Sequence, residues 1–210
     1  MFRILIADDH AVVRRGLIQI LSENFSGALF GEAANAQELL SKVQEHKWNL
    51  LTLDIGMPGR SGLDLLRDLR AAYPRLPVLI LSVHSESQYA RRALKAGAAG
   101  YLSKDAVPFE LVSAVRKVLK GGRYVSPALA EQFATDLATD GKKPPHEILS
   151  DRELEVLRMI SLGKTITQIA DDLALSPKTI STYRARILGK MDMTTTGDLI
   201  RYAVENHLID

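Results

Sequence analysis

Over the first 120 residues, short apolar runs alternate with amphipathic stretches. Residues 2–7, 28–33, 50–53, 78–82 and 100–103 are strand-sized, and most are almost unbroken Ile, Leu, Val or Ala. Strands covered on both faces read this way. Between them, Asn35-x-x-Glu38, Ser61-x-x-Asp64 and Ser85-x-x-Gln88 have the form of capping boxes at helix starts, and Pro74, Gly97 and Gly121-Gly122 are stop signals. Five strands alternating with five helices predict right-handed crossovers and an α/β fold with a parallel, doubly wound, five-stranded sheet.

After Gly122 the pattern changes. Ser126-Pro127 is a cap followed by proline at the first helical position, so Pro127–Ala138 reads as one amphipathic helix. Asp140-Gly-Lys-Lys-Pro-Pro-His has the composition of an exposed hinge. From Leu149 onward there is no strand signal, and four short helices open at Ser150-x-x-Glu153, Thr165-x-x-Gln168, Ser176-Pro177 and Thr195/Thr196. The pattern predicts a first domain over 1–121, a linker over 122–145 with a helix at about 127–138, and an all-α four-helix domain over 146–210.

Composition narrows the function classes. The chain has 210 residues, 46% apolar and 25% charged, and no run approaches the roughly 18 apolar residues of a membrane span. The opening Met-Phe-Arg-Ile-Leu-Ile meets Asp8 and Asp9 too early for a secretory signal. The absence of cysteine removes disulfides, thiolate metal sites and cysteine nucleophiles. None of the five histidines forms a ligand-spaced pair. A cytoplasmic protein with no membrane partner is expected.

The chemistry concentrates at strand ends. In open α/β sheets, ligands bind beyond the carboxyl ends of the strands, near the switch in strand order. With strand order 2-1-3-4-5, Asp8 and Asp9 after the first strand converge with Asp54 after the third. Like charges so close repel unless a cation sits among them, and an oxygen-only set with open positions suits Mg²⁺. Ser82 ends the fourth strand, and Tyr101 and Lys104 stand at the fifth. A carboxylate nucleophile toward phosphorus, a cation for the phosphoryl oxygens and a hydroxyl donor form one chemical set. Taken singly, Asp8 or Asp9 could cap the helix starting near His10, Lys104 could lie on the surface and Tyr101 in the core.

The second domain carries eight Lys/Arg against ten Asp/Glu from Pro144 onward, yet four basic residues and no acid between Leu173 and Met191. A local basic stripe is what a phosphate backbone feels, because phosphate contacts are screened beyond about 8 Å. The segment from Gln168 to Ile180 reads as helix, tight turn, capped helix. Ile180, Ile187, Leu188 and Met191 should face the core with Ile169, Leu173 and Leu157. Lys178, Ser181, Thr182 and Ala185 share another face at helical spacing, small and polar enough to enter a major groove. Thr179, Arg186 and Lys190 are placed to hold phosphates. Spacing alone also fits a helical bundle with solvated charges.

Asp8-Asp9, Leu-Asp54-Ile-Gly-Met-Pro58-Gly-x-x-Gly62, Leu-Ser82 and Gly-Tyr101-Leu-Ser-Lys104 together resemble the receiver domain of two-component response regulators over residues 3–120. The resemblance implies a flavodoxin-like sheet with Asp54 as phosphoacceptor. Mg²⁺ is then held by Asp9, Asp54 and the Gly56 carbonyl, with Asp8 assisting through water. Lys104 pairs with the phosphoryl group, Ser82 swings toward it and Tyr101 turns inward. Gly56 departs from the pattern, since family members often carry a side chain there that affects dephosphorylation. Asp105 stands where many receivers have proline.

Leu149-Ser-Asp-Arg-Glu153-Leu-Glu155-Val-Leu, Gly163, Ile169-Ala170 and Leu175-Ser-Pro-Lys-Thr-Ile-Ser-Thr-Tyr-Arg-Ala-Arg-Ile-Leu resemble the LuxR-type helix-turn-helix. Together the halves resemble the NarL/FixJ family. That implies a phosphorylation-dependent transcription regulator, not an enzyme. Its expected partners are a sensor histidine kinase, promoter DNA bound as a homodimer through a last helix near residues 197–207, and RNA polymerase as a further candidate. Haloacid-dehalogenase-type phosphatases, the enzymatic rivals, need an acid two residues beyond the nucleophile, where this chain has Gly56.

Overall fold

The computed structural model describes residues 2–58, 61–83, 86–138, 144–206 and 208–209. They fall into two compact units, Met1–Asp140 and Gly141–Asp210.

The first unit runs β1 (Arg3–Ala7), α1 (Ala11–Asn24), β2 (Leu29–Ala33), α2 (Ala36–Glu45), β3 (Leu50–Asp54), α3 (Gly62–Ala72), β4 (Val78–Ser82), α4 (Glu86–Lys95), β5 (Gly100–Ser103), a 3-10 turn (Lys104–Ala106), α5 (Val107–Leu119) and α6 (Pro127–Ala138). The sheet is parallel in the order β2-β1-β3-β4-β5, as the sequence pattern and the resemblance imply. Ile4, Ile6, Leu50, Leu79, Leu81 and Leu102 pack with Leu17 and Leu21 of α1 and Leu111, Val115 and Val118 of α5. Side chains alternate across a strand, so Leu5, Leu51 and Leu53, also fully buried, serve the opposite face. There α2 packs on β1 and β2, and α4 on β5.

One local expectation is corrected. The second expected strand forms as β2, an edge strand with only Ala33 buried and Glu32 on it. Asn35 caps α2 as expected, accepting from Glu38 N–H at 2.9 Å while Glu38 accepts from Ala34 N–H at 2.8 Å. Ser61, by contrast, makes no side-chain cap on α3. The Ser85-x-x-Gln88 signal lies outside the described residues. The helices α3, α4 and α5 each end two residues before their stop signals.

Entry into α3 rests instead on close approach. A Cβ on Gly62 would stand 2.4 Å from the Ile55 Cα and 2.7 Å from its carbonyl oxygen, backbone atoms just beyond Asp54. The chain after α5 returns to β5: Tyr124 N–H donates to the Ala99 carbonyl at 2.9 Å, and Tyr101 N–H donates to the Tyr124 carbonyl at 3.2 Å. Tyr124 also donates its hydroxyl to Glu110 at 2.5 Å. From this anchor α6 packs on α4, burying Leu129 and setting Phe133 under the Arg91 guanidinium, 5.6 Å from the ring centre.

The second unit is helical: a 3-10 turn (Pro145–Ile148), α7 (Asp151–Ser161), α8 (Ile166–Asp172), α9 (Pro177–Met191) and α10 (Thr196–Glu205). All four expected start signals are used. Ser150, Thr165 and Thr195 form capping boxes with Glu153, Gln168 and Asp198, and Ser176 accepts from Thr179 N–H. Between α8 and α9 the chain turns through Ala174 at φ 52°, and Leu175 N–H returns to the Ala170 carbonyl. Ile180, Ile187, Met191, Ile169, Leu173 and Leu157 are buried as expected, whereas Leu188 is only half-buried. Glu153 is 3% exposed and pairs with Lys190 at 2.6 Å. Burial works to raise its carboxyl pKa, but Lys190 and the Ser150 donors hold it below its ordinary value.

Two outcomes follow from this packing. Gly62→Ala should lower the stability of the full-length chain by about 1–3 kcal/mol in urea unfolding, because its methyl meets backbone that cannot swing aside. Glu153→Ala removes a capping box and should cost about 1–2 kcal/mol at neutral pH. Because the folded carboxyl has the lower pKa, the unfolded chain binds the extra proton, so this contribution is present above the ordinary value of 4.5 and fades as pH falls through the folded pKa. The gap between wild type and variant, followed by unfolding midpoint against pH, should therefore narrow in acid.

Candidate functional site

The carboxyl ends of β1 and β3 are neighbours by register, with Ala7 opposite Leu53, which brings the residues that follow them together. Asp8 is 1% exposed and Asp54 4% exposed. Lys104, at the start of the turn after β5, places Nζ 2.7 Å from Asp8 Oδ2 and 2.6 Å from Asp54 Oδ2. The other oxygen of Asp54 accepts Gly56 N–H at 2.8 Å. Asp8 Oδ1 accepts His10 N–H at 2.8 Å. Burial pushes the Asp54 carboxyl above its ordinary pKa, only partly countered by Lys104 and Gly56. For Lys104, burial opposes the charge, but its hydrogen bonds to Asp54 and Asp8 win and hold its pKa up.

A divalent cation fits this donor set. Oxygens of Asp8, Asp9 and Asp54 and a nitrogen of His10 lie within 4.8 Å of one another. Asp9 Oδ1 is a buried oxygen without a well-directed hydrogen bond, although His10 Nδ1 stands 2.9 Å away. A buried acceptor left without a proper donor is one that a metal ion can satisfy. At Gly56, a Cβ would stand 3.3 Å from Asp54 Oδ1, so glycine leaves that side of the carboxylate clear.

Ser82 ends β4 one position beyond Leu81, the partner of Asp54, and is fully buried. Tyr101 of β5 pairs with Ile80 of β4 and is also fully buried. Asp8, Asp9, Asp54, Gly56 and Lys104 thus gather at one end of the sheet, with Ser82 on the adjoining strand end.

Sequence reasoning did not identify three residues at this centre. His10 joins the carboxylates. Arg14 donates through Nη1 to the Asp8 carbonyl at 2.8 Å and reaches the Asp9 carbonyl at 3.4 Å. Its Nε donates to Glu32 at 2.9 Å. His10 follows the acidic pair directly and was legible as a neighbour. The Arg14–Glu32 pair spans two elements and leaves no local pattern.

In the second unit, Lys178, Ser181, Thr182, Ala185, Arg186 and Lys190 of α9 are exposed and Thr179 is half-buried. Ser181 and Thr182 donate their hydroxyl protons to the Pro177 and Lys178 carbonyls, both at 3.0 Å. Their oxygens remain acceptors, so Lys178 is the donor on that face. Thr179 shares a hydrogen bond with Ser176. Lys190, expected to hold a phosphate, donates to the buried Glu153 carboxylate in this structure. Arg184 is turned to Thr196 at 2.9 and 2.6 Å, tying α9 to the start of α10. Among the described residues no helix is long and apolar enough to cross a membrane.

Comparison with known proteins identifies both domains. Residues 4–116 match the response regulator receiver domain, and residues 147–203 match the bacterial regulatory proteins of the luxR family. The response regulator GacA of Pseudomonas protegens is 37% identical over 210 residues, 100% of this chain and 99% of that protein. The response regulator UvrY of Escherichia coli K12 is 34% identical, over 99% of this chain and 96% of the relative. Among solved structures, RcsB from Salmonella enterica serovar Typhimurium, bound to promoter rprA in the presence of phosphomimetic BeF3-, superposes with a TM-score of 0.68 at 26% identity. It covers 96% of this chain and 97% of its own. A receiver sheet with its acidic end intact, followed by a LuxR-type helix-turn-helix, places the chain in the NarL/FixJ family of response regulators.

Proposed function

We propose that this chain is a phosphorylation-controlled transcription regulator. In this reading, Asp54 accepts a phosphoryl group from a sensor histidine kinase, and the protein binds promoter DNA as a homodimer through α9. The observation that carries the reading is the Lys104 ammonium held between Asp54 and Asp8, with Asp9 Oδ1 left without a proper donor beside them.

An Asp54 oxygen attacks the donor's phosphorus, forming an acyl phosphate. The P–N bond to the kinase histidine breaks, or the P–O bond to a small phosphodonor, and the leaving group takes the bonding pair. Lys104 is within reach to exchange its bond to Asp54 for one to a phosphoryl oxygen. Asp8, Asp9, Asp54 and the Gly56 carbonyl would hold Mg²⁺, which when bound supplies the positive charge that draws the phosphoryl oxygens in. Ser82 offers a hydroxyl donor from the adjoining strand end, and Tyr101 transmits the change along β5. That strand is backbone-bonded to Tyr124, and so to the segment leading into α6. The whole-length likeness to response regulators supports a cytoplasmic location and, beyond DNA, a kinase and RNA polymerase as partners.

On DNA, Lys178, Ser181, Thr182 and Ala185 face base edges, while Thr179 and Arg186 hold phosphates. Lys190 contributes less than an unpaired cation because Glu153 already holds it.

Acetyl phosphate should add one phosphoryl group by mass spectrometry, and the adduct should vanish in Asp54→Asn and on chelation of Mg²⁺. An adduct that persists in Asp54→Asn rules out the assignment. Repeated turnover of a phosphate ester, abolished in the same variant, would support a phosphatase instead. For α9, Lys178→Ala and Thr182→Ala should each cost roughly 1–3 kcal/mol on cognate DNA and much less on a scrambled site. Arg186→Ala should weaken both DNAs alike and flatten the salt slope by about one, with Lys190→Ala falling short of that. Equal losses on both DNAs for all four would mean that this helix does not read sequence.

A further inference from the structure

We propose that Arg14, braced by Glu32, is the positioning residue that sets the acidic turn for metal binding. The proposal rests on reading the Asp8–Asp9–Asp54 cluster as the phosphoacceptor centre.

Asp8 and Asp9 lie in a turn between β1 and α1, not in the sheet, so the strand ladder does not by itself fix their carboxylates. Two neighbouring anions facing a third push such a turn apart. The structure opposes this from beneath. The Arg14 guanidinium, only 14% exposed, holds the Asp8 carbonyl at 2.8 Å and reaches the Asp9 carbonyl at 3.4 Å. The same group is held by Glu32, whose carboxylate receives Nε at 2.9 Å. Glu32 sits on β2 opposite Ile6 of β1, so the brace is seated on the sheet. Asp8 N–H is tied to the next β2 residue, donating to the Ala33 carbonyl at 3.1 Å.

With its backbone fixed from β2, Asp8 can direct Oδ1 to His10 N–H and Oδ2 to Lys104. A guanidinium suits this place because its planar fork serves the carbonyls and the carboxylate together. An ammonium is a point charge on a flexible stem that cannot span all three. Asp8 and Asp9 themselves supply the candidate ligand oxygens, so slack in their backbone is passed directly to the ion. Partners that only orient metal ligands are commonly worth 10–100-fold in affinity.

The test uses the full chain with Arg14→Lys and Glu32→Gln, read by Mg²⁺ titration calorimetry and by the urea unfolding midpoint. Arg14→Lys keeps the charge but loses the fork, and should weaken Mg²⁺ binding about tenfold with its midpoint little changed. Glu32→Gln keeps an acceptor oxygen and removes the charge, on a side chain 45% exposed, and should give a smaller loss in the same direction. Its folding keeps the question answerable if Arg14→Lys is unstable. If the wild type binds Mg²⁺ and both folded variants bind it equally well, or if weaker binding only tracks a fallen midpoint, Arg14 is a structural residue and the proposal fails. A wild type that binds no Mg²⁺ overturns the reading of the cluster itself, and the proposal with it.

Discussion

The first unit depends on one cation held between two buried carboxylates. Asp54 ends β3 and Asp8 follows the adjacent β1, so the parallel ladder brings them near one another whatever their charge. Two anions in that setting repel each other unless a fixed positive group answers them. Lys104 does so from β5, across the intervening strand β4. The turn that carries Lys104 is held by Asp105 N–H donating to the Ser103 hydroxyl. Asp54 nevertheless remains above its ordinary pKa, so the arrangement is balanced short of full compensation. A buried acidic centre of this kind suits the metal ion and the phosphoryl group of the proposed function.

What was legible in the sequence follows from the range of each interaction. Strands β1, β3 and β4 came from almost unbroken apolar runs because both of their faces are covered, and the residues at their ends followed from strand order. The edge position of β2 could not be read from its own residues, because it is a property of the whole sheet. Helix starts in the second unit were local and were found, since a cap lies three residues from its partner. Ser61 shows the limit: its motif has the spacing, yet α3 begins on the close approach of Gly62 to Ile55 instead. The Arg14–Glu32 brace and the Lys190–Glu153 pair join residues 18 and 37 positions apart, a separation that carries no periodic signal.

The second unit combines an acidic total with a basic helix by assigning its charges locally. Glu153 takes Lys190 and Thr196 takes Arg184, which leaves Lys178 and Arg186 on the exposed part of α9. The hydroxyls of Ser181 and Thr182 return their protons to the helix backbone, so the face between the cations is rich in acceptors. In the DNA contact proposed above, such a face would favour bases that present amino groups in the major groove, adenine N6 and cytosine N4, with lysine answering guanine.

The return of the chain to β5 at Tyr124 changes where the first module ends. A boundary drawn at the Gly121-Gly122 turn would strip Tyr101 N–H of its carbonyl partner and leave β5 as a bare edge. It would also remove the aromatic cover over Gly100, where a Cβ would stand 2.9 Å from Tyr124. Leu129 and Phe133 carry the same continuity onto α4. A chimaera that grafts this receiver onto a foreign output domain should therefore keep α6 with the receiver and place its junction in the polar stretch after it.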